Sequence, residues 1–139
     1  MVTFINGEPE KTLYRHFRIR QKKRQSDTDS MTEVAKRRIK YLSSWGVPNL
    51  IVVDGGKAQV SVFRKIFDKH NIRVVGLAKR HETIVIPVKR TEMSTHSFVE
   101  RKVPQGPALN LLQRIRNEAH RFARRYHHKL VQKSLLPTK

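Results

Sequence analysis

The chain has 139 residues, of which 30 are lysine or arginine and 11 are aspartate or glutamate, so its formal net charge is +19. The absence of cysteine excludes disulfides and thiolate zinc sites. Because so large a positive charge repels itself, nucleic acid is the expected partner, and a solvated basic surface is the alternative.

The length predicts a single domain over residues 1–139, and an apolar content of 37% is enough for one core. No run approaches the roughly 20 apolar residues of a membrane span. The first residues lack both the basic and the apolar region of a signal peptide. We therefore expect a cytoplasmic location and no membrane partner.

The first elements in chain order are a predicted hairpin. Val2 to Ile5 resembles a short strand, and Asn6-Gly7 is a strong hairpin turn signal. Leu13 to Ile19 alternates in the manner of a returning strand. Gln21 to Asp29 is polar and predicts a loop.

A helix should follow, because Ser30-Met-Thr-Glu33 matches a capping box. Apolar residues at helical spacing continue to Trp45, and Gly46 with Pro48 predicts the stop. Asn49 to Asp54 then predicts a strand buried on both faces, in which four apolar residues lead directly to Asp54.

The central part predicts a β-α-β unit, which should cross over right-handed. Lys57 to His70 has helical periodicity and Ile72 to Ala78 has the composition of a strand. Two more strands are expected at Glu82 to Val88 and Phe98 to Val103, with a polar loop at Thr91 to Ser97 between them.

The last and longest predicted helix begins at Gly106-Pro107, where the missing N–H of proline does no harm. An apolar stripe at spacings of three and four runs from Ala108 to Leu130. The basic tail, about residues 131–139, is expected to fray.

Asp54 is the strongest candidate for chemistry, because an open α/β sheet presents functional groups at the carboxyl ends of its strands. A carboxylate there suits Mg²⁺ or Mn²⁺, either of which assists phosphodiester hydrolysis. The alternative is an aspartate that only caps the Asp-Gly turn. Gly55 and Gly56 would let a DNA backbone or a metal approach, and Lys57 would meet phosphate. An ATP loop is not indicated, since its spacing is absent.

Further candidates lie beyond this motif. His120 could bind a divalent metal or act as a base, or could be a rim residue bonded to a neighbour. Glu118 suggests a functional partner, or a plain salt bridge to Arg114 or Arg121. Lys79 follows a predicted strand and would place a cation beside Asp54, unless it is simply solvated. No aromatic platform for base stacking is evident.

Four segments stand out together: Leu50-Ile-Val-Val-Asp-Gly-Gly-Lys-Ala-Gln59, Val75-Gly-Leu-Ala-Lys79, Pro107-Ala-Leu-Asn-Leu-Leu-Gln-Arg-Ile-Arg116 and Glu118-Ala-His-Arg-Phe-Ala123. In this order and spacing they resemble one family, the C-terminal endonuclease domain of the UvrC subunit of the bacterial excinuclease. The resemblance implies an RNase H-like α/β fold: a mixed sheet flanked by helices, here with its first strand missing.

The resemblance also implies a function, the 5′ incision beside a lesion in double-stranded DNA, with UvrB bound through regions outside this chain. Asp54 and His120 match two of the family's three metal-binding catalytic residues, around Mg²⁺ or Mn²⁺. No residue matches the first aspartate, so the isolated chain should be nearly inactive. Lys57, Gln59, Lys79 and Glu118 would support the site or bind phosphate.

Two departures from the family pattern are Ala58 in place of glycine and Asn117 in place of aspartate. Two other functions stay open at this point. One is a non-catalytic basic DNA-binding module, and the other is an RNA-binding protein of ribosomal type.

Overall fold

The computed structural model describes residues 1–20, 26–78, 82–89 and 98–136. The chain divides into two compact units. The hairpin unit comprises Met1–Arg18 and Asn110–Lys139, and the sheet unit comprises Ile19–Leu109. The single domain expected over residues 1–139 stays a prediction.

The hairpin unit opens with strands β1 (Phe4–Ile5) and β2 (Glu8–Pro9), which pair antiparallel. Asn6 and Gly7 connect them with positive φ angles of 51° and 81°, the conformation of a two-residue hairpin turn. The predicted turn is therefore confirmed. The hairpin unit also contains the part of helix α4 (Pro107–Leu135) that starts at Asn110.

The predicted returning strand at Leu13 to Ile19 is wrong. The tight turn brings Glu8 directly opposite Ile5, so the chain returns at once, and Pro9 has no N–H with which to extend the ladder. A 3₁₀ turn follows at Lys11–Leu13, and no strand includes residues 14–20.

The sheet unit begins with helices α1 (Asp27–Ile39) and α2 (Leu42–Trp45). The capping box predicted at Ser30 is wrong, because the capping hydroxyl belongs to Ser26, which accepts from the Asp29 N–H at 3.2 Å. The earlier start places Asp27 and Asp29 in the first turn, where carboxylates stabilise the helix dipole. It also places helix at Asp27 to Asp29, where a loop was expected.

A four-stranded mixed sheet forms the centre of this unit. It consists of β3 (Leu50–Asp54), β4 (Arg73–Leu77), β5 (Thr83–Pro87) and β6 (Phe98–Lys102), in that spatial order. Strands β3 and β4 are parallel and the other two pairs are antiparallel. These strands confirm the predicted α/β architecture.

Helix α3 (Lys57–Phe67) connects β3 to β4, continues as a 3₁₀ turn at Asp68–His70, and packs on the sheet, while α1 packs on α3. The core between them consists of small and branched apolar residues with two phenylalanines: Ala35, Val53, Val60, Phe63, Phe67, Ile72, Val74 and Val85. The predicted β-α-β order is therefore confirmed.

The prediction that β3 is buried on both faces is wrong. Within the described part of the chain it pairs with β4 alone, so it is an edge strand. Leu50 is 47% exposed and only Val53 is fully buried. A second correction concerns the tail, since α4 remains helical to Leu135 instead of fraying after Leu130. The polar loop expected at Thr91 to Ser97 lies outside the described residues.

Candidate functional site

Asp54 is the last residue of β3 and lies opposite Leu77 in the parallel ladder. The Gly55 N–H extends the ladder by donating to the Leu77 carbonyl at 3.1 Å. Ile51 and Val53 pack in the core under α3, so strand alternation turns Asp54 to the opposite face of the sheet. Asp54 is exposed there, at the carboxyl end of a parallel strand, as the sequence predicted.

The two glycines after Asp54 differ in whether there is room for a side chain. A Cβ on Gly55 would come within 2.7 Å of the Gln59 Cγ, whereas a Cβ on Gly56 would meet nothing within 4 Å. The close approach at Gly55 is therefore made by a side chain of this protein. These contacts are within the protein and do not test whether DNA or a metal approaches at the glycines, so that approach stays a prediction.

Gln59 holds the start of α3. Its side-chain oxygen accepts from the Gly56 N–H at 3.1 Å, which satisfies one of the unpaired donors of the first turn. Its side-chain nitrogen donates to Asp27 Oδ2 at 3.2 Å, at the beginning of α1. Gln59 thus connects the loop that carries Asp54 to α1, a structural role that the motif alone did not reveal.

Lys57 lies at the first position of α3, and its ammonium group is 3.8 Å from Glu100 Oε1 on β6. Glu100 is opposite Val85, a core residue under α3, so this ion pair is on the α3 side of the sheet. Asp54 faces the other side. Both charged groups are more than half exposed, so the pair is weak and Lys57 remains accessible to a polyanion.

Glu118 is the centre of a polar network in the hairpin unit. It accepts from the Tyr14 hydroxyl at 3.0 Å and from two nitrogens of Arg121 at 2.9 and 2.6 Å. The hydrogen bonds from Arg121 are the main reason that the pKa of Glu118 falls to about 2. Burial, followed by the bond to Glu118, raises the pKa of Tyr14 to about 12. The salt bridge to Arg121 is confirmed.

His120 lies half-buried in α4, two positions after Glu118. Successive helical residues are separated by about 100°, so the two side chains leave the helix on nearly opposite sides. The hydrogen bonds of Glu118 are to Tyr14 and Arg121. Glu118 is therefore organised around the arginine.

A metal site was expected from Asp54 and His120. Asp54 belongs to the sheet unit and His120 to the hairpin unit, so their pairing stays a prediction. Among residues 1–20, 26–78, 82–89 and 98–136, no group of three histidine or acidic side chains is arranged to hold a metal ion. The exposed carboxylate of Asp54 has the right donor chemistry, but these residues do not assemble a complete ligand set. Lys79 lies outside the described residues.

A feature that the sequence reasoning missed is a pair of stacked aromatic rings in the sheet unit. The rings of Tyr41 and Trp45 are nearly parallel, at 8°, with centroids 4.1 Å apart. The four-residue spacing, one helical turn, was the available signal. These rings stack on each other, so the prediction that the chain has no aromatic platform for base stacking stays a prediction.

The basic charge is concentrated toward the end of α4. After Glu118 the sequence contains no further acidic residue. The helix from Arg121 onward is largely exposed and carries five cations: Arg121, Arg124, Arg125, Lys129 and Lys133. This part of the hairpin unit is chemically suited to phosphate contact. Within the described residues, no helix is long and apolar enough to cross a membrane.

Comparison with known proteins identifies relatives over nearly the whole chain. The chain is 40% identical to UvrABC system protein C of Dehalococcoides mccartyi over 96% of its length, 39% identical to that of Dictyoglomus thermophilum over 97%, and 40% identical to that of Methanospirillum hungatei over 97%. It spans 22 to 25% of the length of these three relatives. The sequence model of the UvrC RNase H endonuclease domain matches residues 1–123. With the mixed sheet and the strand-end aspartate, this match shows that the chain belongs to the UvrC RNase H endonuclease domain family.

Proposed function

We propose that this chain acts as the endonuclease domain of a UvrABC excision repair system, cutting the phosphodiester backbone of damaged double-stranded DNA on the 5′ side of the lesion. The observation that carries the proposal is Asp54, exposed at the carboxyl end of a parallel strand in a chain of this family. UvrB is the proposed partner, through regions outside this chain.

The proposed cofactor is Mg²⁺ or Mn²⁺. Such an ion would activate water and neutralise phosphate charge. Asp54 would provide a carboxylate oxygen, and His120 would provide a neutral imidazole to bind the ion or to carry a proton. The exposure of Asp54 supports this assignment, since a ligand must be accessible to the ion and to the DNA.

The other proposed roles follow from charge. Lys57 is accessible enough to exchange its weak pairing with Glu100 for a phosphate oxygen. Glu118 would act indirectly, because it fixes the guanidinium of Arg121 through two hydrogen bonds. A fixed guanidinium loses less entropy when it binds phosphate. Gln59 would support the loop after Asp54.

The decisive experiment replaces the matched segment in the UvrABC system protein C of Dictyoglomus thermophilum with residues 1–123 of this chain. The chimera is assayed for 5′ incision of a duplex with one lesion, together with its partner subunits. We expect incision by the chimera and its loss in Asp54→Asn. Asp68→Asn is the matched control, because Asp68 is also an exposed carboxylate of the sheet unit.

The outcomes separate catalysis from folding. Equal incision by the Asp54→Asn and Asp68→Asn chimeras would exclude Asp54 from the site. His120→Ala is tested in the same way, and unchanged incision would remove His120 from the proposal. Thermal unfolding of each variant identifies losses that come from misfolding.

A second candidate function is a non-catalytic DNA-binding module. It is favoured by the net charge of +19. A chimera that folds and binds DNA but does not incise would support it. Binding should then be independent of metal and weaken more than about tenfold between about 50 and 200 mM salt. The ribosomal RNA-binding alternative suits the small size and the net charge, but the match to the endonuclease domain family argues against it.

A further inference from the structure

The stacked rings of Tyr41 and Trp45 form a rigid aromatic platform on the sheet unit. The backbone N–H of Trp45 donates to the Tyr41 carbonyl at 2.8 Å, so one turn of helix fixes the two residues. The guanidinium of Arg38 lies 5.6 Å from the centre of the Trp45 ring and donates to the Gly46 carbonyl at 2.9 Å. Arg38 is itself 8% exposed, which anchors this arrangement to the core.

The outer ring of the platform remains accessible. Tyr41 is 41% exposed although one face of its ring is against Trp45. A ring that is already held in place loses little conformational freedom when another planar group stacks on it. The platform is therefore prepared to extend its stack by one more flat ring.

The charge around the platform indicates which kind of ligand carries that flat ring. From Val34 to Val53 the sequence has four cations and no acidic residue. Lys36, Arg37 and Lys40 line a cleft of about 470 Å³ beside α1. Lys40 is adjacent to Tyr41, with Cα atoms about 3.8 Å apart, and Arg37 is one helical turn before it.

The acidic residues of the same cleft lie further from the platform along the chain. Asp29 and Glu33 belong to the first two turns of α1, and Glu33 accepts from the Arg20 backbone N–H at 3.0 Å. The cations lie in the last turn of α1 and at its C-cap, next to Tyr41 in the chain. The part of the chain next to the platform therefore favours a polyanion.

We infer that the platform of Tyr41 and Trp45 binds an unpaired nucleobase of a single-stranded nucleic acid, with its phosphates along Lys36, Arg37 and Lys40. A base provides the flat ring, and its own backbone provides the negative charge, so one ligand satisfies both features. The inference rests on the proposed function only in taking nucleic acid as the partner. It adds a binding surface distinct from Asp54, for strand that is unpaired.

The test uses two strands of about twelve nucleotides, an oligothymidylate and an abasic deoxyribose-phosphate strand of the same charge. We expect Tyr41→Leu to weaken oligothymidylate binding about fivefold or more and to leave abasic binding unchanged. Tyr41→Phe, which keeps the ring, should bind as the wild type does. Val131→Ala is the matched control, since Val131 is also 41% exposed but lies in the hairpin unit.

A second measurement needs no variant. Trp45 is the only tryptophan, so its fluorescence reports directly on the platform. Oligothymidylate should change the Trp45 emission, and the abasic strand should not at concentrations where both are bound. Identical emission with both strands, or equal oligothymidylate affinity of Tyr41→Leu and Tyr41→Phe, would overturn the inference.

Three further outcomes would decide against the inference. If Tyr41→Leu changes the oligomeric state of the chain but not its affinity for oligothymidylate, the platform is a protein interface and the inference is wrong. If the wild type binds neither strand nor duplex DNA, the proposed function fails with it. Binding of DNA that does not depend on Tyr41 refutes the inference alone.

Discussion

Gly76 is the position at which one methyl group should do most damage to the sheet unit. It lies on β4, where a Cβ would come within 2.5 Å of both the Gly55 carbonyl oxygen and a methyl of Val60. Favourable contacts between carbon atoms are at about 3.5 to 4.0 Å, so the overlap is about 1 Å on two sides. One of these neighbours is backbone and cannot rotate away.

We expect Gly76→Ala to lower the free energy of unfolding by about 2 to 3 kcal/mol, the cost of overpacking a tight core. Gly76 does not have a positive φ angle, so the effect is steric and not a matter of backbone preference. With a urea slope of about 2 kcal/mol per M, the midpoint should fall by about 1 to 1.5 M. Trp45 fluorescence follows unfolding in the same unit.

Gly56→Ala is the matched control, because a Cβ there meets nothing within 4 Å and φ is −95°. Its cost should stay within about 1 kcal/mol, the penalty of alanine at a helix N-cap. Equal urea midpoints for Gly76→Ala and Gly56→Ala would refute the steric argument. If Gly76→Ala lowers the urea midpoint but a crystal structure of the variant shows β4 and Gly55 unmoved, overlap with the Gly55 carbonyl oxygen is not the cause of the loss.

Three other predictions concern the polar contacts. Gln59→Ala removes hydrogen bonds to Gly56 and Asp27, so it should cost about 1 kcal/mol by urea unfolding. Gln59→Met, which keeps the length of the side chain but neither polar group, should cost a similar amount, and a Gln59→Met variant as stable as the wild type would show that these bonds are unimportant. The folded state lowers the pKa of Glu118 to about 2, so the contribution of Glu118 to stability is present above pH about 4.5 and lost as the pH falls toward 2. The acid unfolding of Glu118→Gln should lack this component. An acid unfolding profile of Glu118→Gln that superimposes on that of the wild type would count against the network. The hydroxyl of Tyr14 should titrate near pH 12 by ultraviolet absorbance and at lower pH in Glu118→Gln, because a bonded carboxylate disfavours the phenolate; an unchanged midpoint would contradict the pairing.

The sequence by itself determined the central strands, the first turn and where the candidate acid lies. Alternating and unbroken runs of apolar residues identified β3 to β6, because the apolar side chains on the faces of a strand must be buried. The Asn6-Gly7 turn was predictable for a similar reason, since few residue pairs accept two positive φ angles. These signals are local, and each is complete within a few residues of the chain.

Tertiary structure decided which of these residues meet. Among the described strands β3 pairs with β4 alone and Leu50 is exposed, which depends on strand order that no single segment encodes. The sequence offered two equally good patterns for the start of α1, at Ser26 and at Ser30, and the structure uses Ser26. Two hydrogen bonds are formed with the helix in this position, from Gln59 to Asp27 and from the Arg20 backbone to Glu33. The network of Tyr14 with Glu118 joins residues 104 positions apart. Contacts at such separations depend on how whole elements pack, and therefore only the folded chain could reveal them.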